Sequence, residues 1–174
     1  MNMLLAGTKP GLGAPRFILA LAINALSIGV HGGQTFAAES QPAVLVVIGA
    51  SGADEFGKQF REWAARWEAA AKQAKAQFAA IGLAGAGEQP DREALQEQLK
   101  LLGAENIEPL WLILMGHGTF DGKTARYNLR GPDFTAAELG GWLKTIERPL
   151  VVLDCTSSSG PFLNELSAEN RVIV

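Results

Sequence analysis

The sequence holds one cysteine, Cys155, and two histidines, His31 and His117. A lone thiol excludes an internal disulfide. With the two histidines far apart in the chain, it also excludes a thiolate metal site, and no cofactor is expected. Charge is equally sparse. Asp, Glu, Lys and Arg make up 19% of the residues, there is no basic run, and 18 acidic residues exceed 15 basic ones for a formal charge of −3. Nucleic-acid binders gather Lys and Arg on one face, so a nucleic-acid partner is not expected. What the chain has in quantity is apolar surface. Hydrophobic residues account for 48% of its 174 positions, enough to offset the chain entropy of one domain, and this excludes a disordered, collagen-like or disulfide-stapled protein.

Residues 1–38 differ from the rest. Lys9 and Arg16 precede the 14-residue apolar run Phe17 to Val30, and the small residues Ala37 and Ala38 follow. This three-part pattern predicts a secretory signal peptide. The competing reading is an anchor that stays attached, but the run is short for a membrane span and carries Asn24. Cleavage near Ala37 or Ala38 takes Lys9, Arg16 and no acidic residue, so the formal charge moves from −3 to −5. The product is expected to be exported, periplasmic or secreted, with no stable membrane span. His31 leaves with the leader, and histidine chemistry then falls on His117.

The remainder, residues 42–174, reads as one α/β domain. Val44 to Ile48, Leu110 to Met115 and Leu150 to Leu153 are continuous apolar runs, the signature of strands buried on both faces. Between the first two, Phe56, Phe60, Trp63, Trp67, Ala70 and Ala74 recur at helical spacing, a stripe read as core. A short strand is predicted near Ala79 to Leu83. Asp91 is expected to cap a helix carrying Leu95, Leu99 and Leu102, which Gly103 ends. Turn residues at Asp121-Gly122 and Arg130-Gly131-Pro132 bracket the alternating Ala125, Tyr127 and Leu129, which predicts a ribbon at the sheet edge. Thr135 and Glu138 form a capping box for a helix facing inward through Leu139, Trp142, Leu143 and Ile146. Arg171 to Val174 begins a fifth strand.

Buried strands alternating with amphipathic helices imply a mostly parallel sheet, whose sites form at the carboxyl ends of the strands. Three such ends carry small or reactive residues: Gly49-Ala50-Ser51-Gly52, Gly116-His117-Gly118, and Asp154-Cys155-Thr156 with the serines that follow. A histidine and a thiol on neighbouring strands face one small volume, and the Gly118 amide is unobstructed by any side chain. A histidine at a strand end is otherwise an ordinary structural residue, and a lone buried cysteine an apolar filler.

The ordered pair of blocks, LWLILMGHG and then LVVLDCTSSSG, resembles the clan of cysteine peptidases that holds the caspases, metacaspases, legumain, gingipains and separase, with bacterial legumain-type members nearest. The resemblance covers roughly Val44 to Val174. It implies a three-layer caspase-like fold, truncated after the fifth strand, with His117 as base or proton donor, Gly118 as oxyanion contributor and a cysteine nucleophile. The position of that nucleophile has three readings. Counting from Asp154 gives Thr156, counting back from Ser159-Gly160 gives Ser157, and the only thiol is Cys155. If the strand stays extended, Cys155 and Ser157 share one side.

Two functions follow. One is an exported cysteine peptidase hydrolysing peptide bonds through His117 and Cys155. The other is a catalytically silent scaffold of the same fold, with Ser157 in the nucleophile's place, binding a peptide or protein partner. A nucleotide-binding reading of the Gly49 to Gly52 loop is weaker, since the loop has neither GxGxxG nor Gly-Lys-Ser/Thr.

Overall fold

The computed structural model describes residues 40–83 and 89–174, and the leader read at residues 1–38 lies outside them. Strand β1 (Ala43–Ile48) is buried along its whole length, as an unbroken apolar run requires. Helix α1 (Asp54–Gln73) follows, with Asp54 and Glu55 in its first turn and Lys72 in its last, each at the end where the helix dipole favours it. Then come β2 (Gln77–Ile81), α2 (Asp91–Leu102), β3 (Leu110–Met115), the short strands β4 (Gly118–Phe120), β5 (Ala125–Tyr127) and β6 (Phe134–Thr135), α3 (Ala136–Leu143), β7 (Leu150–Asp154), α4 (Ser159–Leu166) and β8 (Arg171–Ile173).

Five strands form one sheet in the order β2-β1-β3-β7-β8, and every pairing in it is parallel. The fold is therefore α/β with helices on both faces. Val44, Val46, Ile48, Ile113 and Met115 pack with Phe60, Ala64 and Ala71 of α1 on one side. Leu45, Val47, Leu112, Leu114 and Val152 pack on the other with Leu95 and Leu99 of α2, Leu139 and Leu143 of α3, and Phe162 and Leu166 of α4. Strand alternation places these two residue sets on opposite faces. No helix among the described residues is long and apolar enough to cross a membrane.

Several expectations are corrected. β2 begins at Gln77, two residues before the predicted Ala79. Asp91 is the first helical residue of α2 rather than its cap, and Pro90 holds the cap position. The carboxylate of Asp91 instead receives both the Nε and an Nη of Arg130, at 2.8 Å each. The ribbon is a separate antiparallel sheet, β4-β5-β6, and its Ala125, Tyr127 and Leu129 are buried. The aromatic stripe of α1 is core only in part, because Phe56 and Trp63 are exposed while Phe60 is buried. α4 was not foreseen. Pro161 sits in its first turn, where the missing amide costs nothing, and Phe162 and Leu166 bury one turn apart.

Two polar devices tie the layers together. Arg148, 6% exposed, donates to the carbonyls of Glu108 (2.7 Å), Leu102 (3.0 Å), Gln41 (2.8 Å) and Pro109 (3.3 Å). It thereby joins the end of α2 to the segments that enter β1, β3 and β7. The capping box of α3 is present, with Glu138 N donating to Thr135 Oγ1 at 3.1 Å and Thr135 N to Glu138 Oε2 at 2.8 Å. The other Glu138 oxygen takes Arg92 at 2.6 Å.

Two outcomes follow. Lysine has one donor nitrogen and cannot span four carbonyls. Arg148→Lys should therefore lower unfolding stability by about 2–4 kcal/mol in urea titration, and a change within error would deny the clamp. Arg92, then the Thr135 amide, hold the Glu138 carboxyl down from 4.5 to about 2. The stabilisation is complete above about pH 4.5 and disappears as pH falls through 2. Because the Glu138 side chain is 42% exposed, solvent screening holds it to about 1 kcal/mol or less. Glu138→Gln should remove that acid-side slope from the pH–stability curve; an unchanged slope assigns it elsewhere.

Candidate functional site

The carboxyl ends of β1, β3 and β7 meet under the ribbon. Glycine is what lets them approach. A Cβ on Gly116 would lie 3.0 Å from the Tyr127 hydroxyl and 3.1 Å from Gly49 Cα, and one on Gly49 would collide with the Asn128 carbonyl. Into this gap Tyr127 places its hydroxyl, 2.8 Å from the carbonyls of both Val47 and Met115. Burial raises the pKa of that phenol far above its usual value, so it remains a donor. Backbone bonds complete the stitching, with Gly49 N to Met115 O at 2.9 Å, Ala50 N to Asn128 O at 2.9 Å and Asn128 N to His117 O at 3.0 Å.

His117 is held on the α1 side. Its ring meets Phe56 and Phe60 edge-on, at centroid distances of 5.0 and 5.7 Å. Its Nε2 lies 3.0 Å from the Ser51 carbonyl. A carbonyl only accepts, so Nε2 is the donor in this contact. The imidazole is thus oriented by a third group, as a general base must be. The next residue, Gly118, opens β4. The pairing of Asn128 N with His117 O sets the ladder's phase, and the alternation of an antiparallel pair turns the Gly118 amide and carbonyl away from β5.

The third loop does not stay extended. Asp154 Oδ1 accepts the Thr156 amide at 3.0 Å, and this Asx-type turn ends the strand. Cys155 is the last residue in ladder contact, donating its amide to Leu114 O at 2.9 Å. Its register beside Met115, two residues after Leu153, sets it on the α1 face that His117 occupies. Beyond it the turn redirects the chain, so Ser157 does not follow Cys155 onto that side through strand alternation. The Ser157 hydroxyl donates to the Gly118 carbonyl at 3.0 Å. The group against Gly118 is Ser158, whose hydroxyl a Cβ there would meet first, with Thr156 Oγ1 next at 2.9 Å.

Ser158 escaped the sequence reading. It is 3% exposed and donates to the Arg126 carbonyl at 3.1 Å, with Thr156 Oγ1 at 3.4 Å from its Oγ. One sequence signal was available: the count from Asp154 puts Thr156 and Ser158 at alternate positions, and both are the hydroxyls that close on Gly118.

The electrostatics separate the histidine from the thiol. Among the described residues no hydrogen bond joins His117 to Cys155, Thr156 or Ser157. Cys155 is solvent-accessible at its surface, yet partial burial and then the charge of Asp154 move its thiol pKa upward. Asp154 is itself buried, with one carboxyl oxygen unpartnered, and burial raises its pKa too. As for other ligands, the amides of Gly49, Ala50 and Ala53 are already committed to carbonyls, which leaves little of that loop to cradle a phosphate. No group of three or more His, Cys, Asp or Glu gathers among the described residues. In comparisons with known proteins, the chain matches no family model, no curated protein and no solved structure.

The thiol environment sets an outcome. Cys155 should alkylate with iodoacetamide more slowly at pH 7 than a free thiol, with its pH–rate midpoint shifted up. His117→Ala should leave that rate unchanged. A midpoint below the free-thiol value, lifted by His117→Ala, would establish a working dyad instead.

Proposed function

We propose that this chain is an exported protein of the caspase-like fold whose strand-end cleft holds an extended peptide without cleaving it. The resemblance of the two blocks, a parallel sheet covered on both faces, and two loops on hydrogen-bonded neighbours β3 and β7 support the fold. The oriented His117 and the outward amide of Gly118 support a cleft built to receive a peptide carbonyl.

The single observation that carries the silent reading is what faces Gly118. It is the hydroxyl of Ser158, with that of Thr156 beside it, and the two face each other rather than His117. An alcohol is a weak nucleophile at its free pKa and acts only with a base in hydrogen-bond reach. The one thiol nearby is shifted away from thiolate. In this reading neither Ser157, which is engaged with the Gly118 carbonyl, nor Cys155 carries chemistry.

The second reading is a peptidase acting through His117 and Cys155. One observation favours it: the two residues occupy the same face of adjacent strands, and catalytic hydrogen bonds often tighten only when substrate arrives.

Incubation of the folded chain with a peptide library, read by mass spectrometry, decides between them. No new termini are expected, and Cys155→Ala should bind peptides as the unaltered chain does. Cleavage that Cys155→Ala abolishes and Ser157→Ala spares would replace the scaffold with the enzyme.

A further inference from the structure

The ribbon has an open side. β5 lies between β4 and β6, so one edge of β4 is unpaired in the sheet. The ladder phase fixes which groups face outward. Asn128 N to His117 O and Asp121 N to Thr124 O mark the hydrogen-bonded pairs at either end, so Gly118 and Phe120 direct their amides and carbonyls away from β5. The Gly118 carbonyl takes the Ser157 hydroxyl. The Phe120 amide and carbonyl bond no described residue, and Phe120 is 54% exposed. Edge strands are ordinarily blunted by shortness, a covering loop, charge, proline or a bulge. β4 is short and meets Ser157 at its Gly118 end, but Gly118-Thr119-Phe120 has no charge, proline or bulge.

We infer that β4 is a strand-addition edge, on which an extended peptide segment pairs antiparallel or parallel through the Gly118 amide and both backbone groups of Phe120. The inference rests on the reading above and names how the peptide is held. Only another extended backbone offers donors and acceptors at the same repeat. The length of the edge selects the occupant. Three residues at about 3.4 Å each span roughly 10 Å, an edge that engages a few residues of a short peptide, whereas two copies meeting on so short an edge would have to find most of the ~1,200 Å² of a stable pairing elsewhere. The edge begins one residue after His117, so a bound segment runs on from the histidine cleft. There the exposed rings of Phe56 and Trp63, joined through Phe60 to His117, supply an apolar wall for an uncharged side chain.

The test uses peptides enriched from a phage-displayed random dodecamer library on the whole folded chain, synthesised with blocked ends and titrated by fluorescence anisotropy. Phe120→Pro deletes one outward amide and no ladder bond, because the Phe120 amide is not used by β5. It should weaken binding at least tenfold while thermal unfolding stays close to that of the unaltered chain. Phe120→Ala, which keeps the backbone, should weaken it less. Independently of any variant's folding, N-methylation of alternate peptide residues should abolish binding in one phase and spare it in the other. Equal binding by Phe120→Pro, with both methylation phases harmless, overturns the edge. If such peptides are still lost on His117→Ala, the cleft reading survives without the edge. Enrichment of no peptide overturns both. Self-association that Phe120→Pro abolishes, with no peptide bound, overturns the peptide in favour of a second copy. Cleavage of a bound peptide overturns the silent reading alone, since the methylated peptides still report the edge.

Discussion

One phenolic hydroxyl decides how the upper end of this molecule is built. The sheet ends of β1 and β3 carry glycine at 49 and 116, and the space those missing side chains leave is where Tyr127 reaches the Val47 and Met115 carbonyls. An unpartnered hydroxyl there would cost more than the bond itself contributes, because burial removes water as an alternative. The ribbon is therefore fixed to the sheet in a single position. From that position follow the bond of Asn128 to His117, the phase of the β4 ladder, and the side toward which Gly118 turns its amide. Stacking of Tyr127 on Phe134, 5.0 Å between centroids, extends the same constraint to α3 and α4 through Trp142 and Phe162.

Asp154 is the corresponding decision on the third loop. Its Oδ1 accepts the Thr156 amide and so bends the chain out of the strand, while its other oxygen remains buried and unpartnered. Burial, and after it the same carboxyl that shapes the turn, raises the pKa of the thiol beside it. A site built to ionise Cys155 would set a cation or a helix N-terminus there. This one sets a carboxyl group, and the hydroxyls of Thr156 and Ser158 close over Gly118 instead.

How much of this was legible depends on how local the cause is. β1, β3 and β7 were readable because an unbroken apolar run has few other homes than the middle of a parallel sheet. The capping box was readable because Thr135 and Glu138 satisfy each other within four residues. Asp91 was misread for the opposite reason: its partner, Arg130, is distant in sequence and outcompeted the local amides. α4 was hidden by Ser-Gly-Pro, a turn signature that becomes a helix start once Phe162 and Leu166 have a core to enter. The stripe on α1 is core only in part, since periodicity reports a face and not its depth, and Phe56 and Trp63 stay exposed on it. In the site, strand alternation assumes an extended chain. One Asx bond at Asp154 ends that assumption, and with it the argument by alternation for Cys155 and Ser157 on one side.

On the proposed reading, the difference between cutting and holding a peptide lies in which side chain the third loop sets against Gly118. A cleft for either task needs an oriented ring nitrogen and an amide aimed at a carbonyl, and His117 with Gly118 provides both through backbone contacts that no nucleophile takes part in. Such contacts are made in the ground state. On the proposed reading they would hold a peptide whether or not a reactive group stands behind it, because stabilising the carbonyl as it is and stabilising it as it changes are separate properties of a site. With the thiol at 155 on the α1 face and the hydroxyls of Ser158 and Thr156 against Gly118, the proposed holding role needs the first property and not the nucleophile on which the second depends. The outward backbone of Phe120, two residues beyond Gly118, would on the same proposal extend that ground-state binding along the chain rather than toward a bond to be broken.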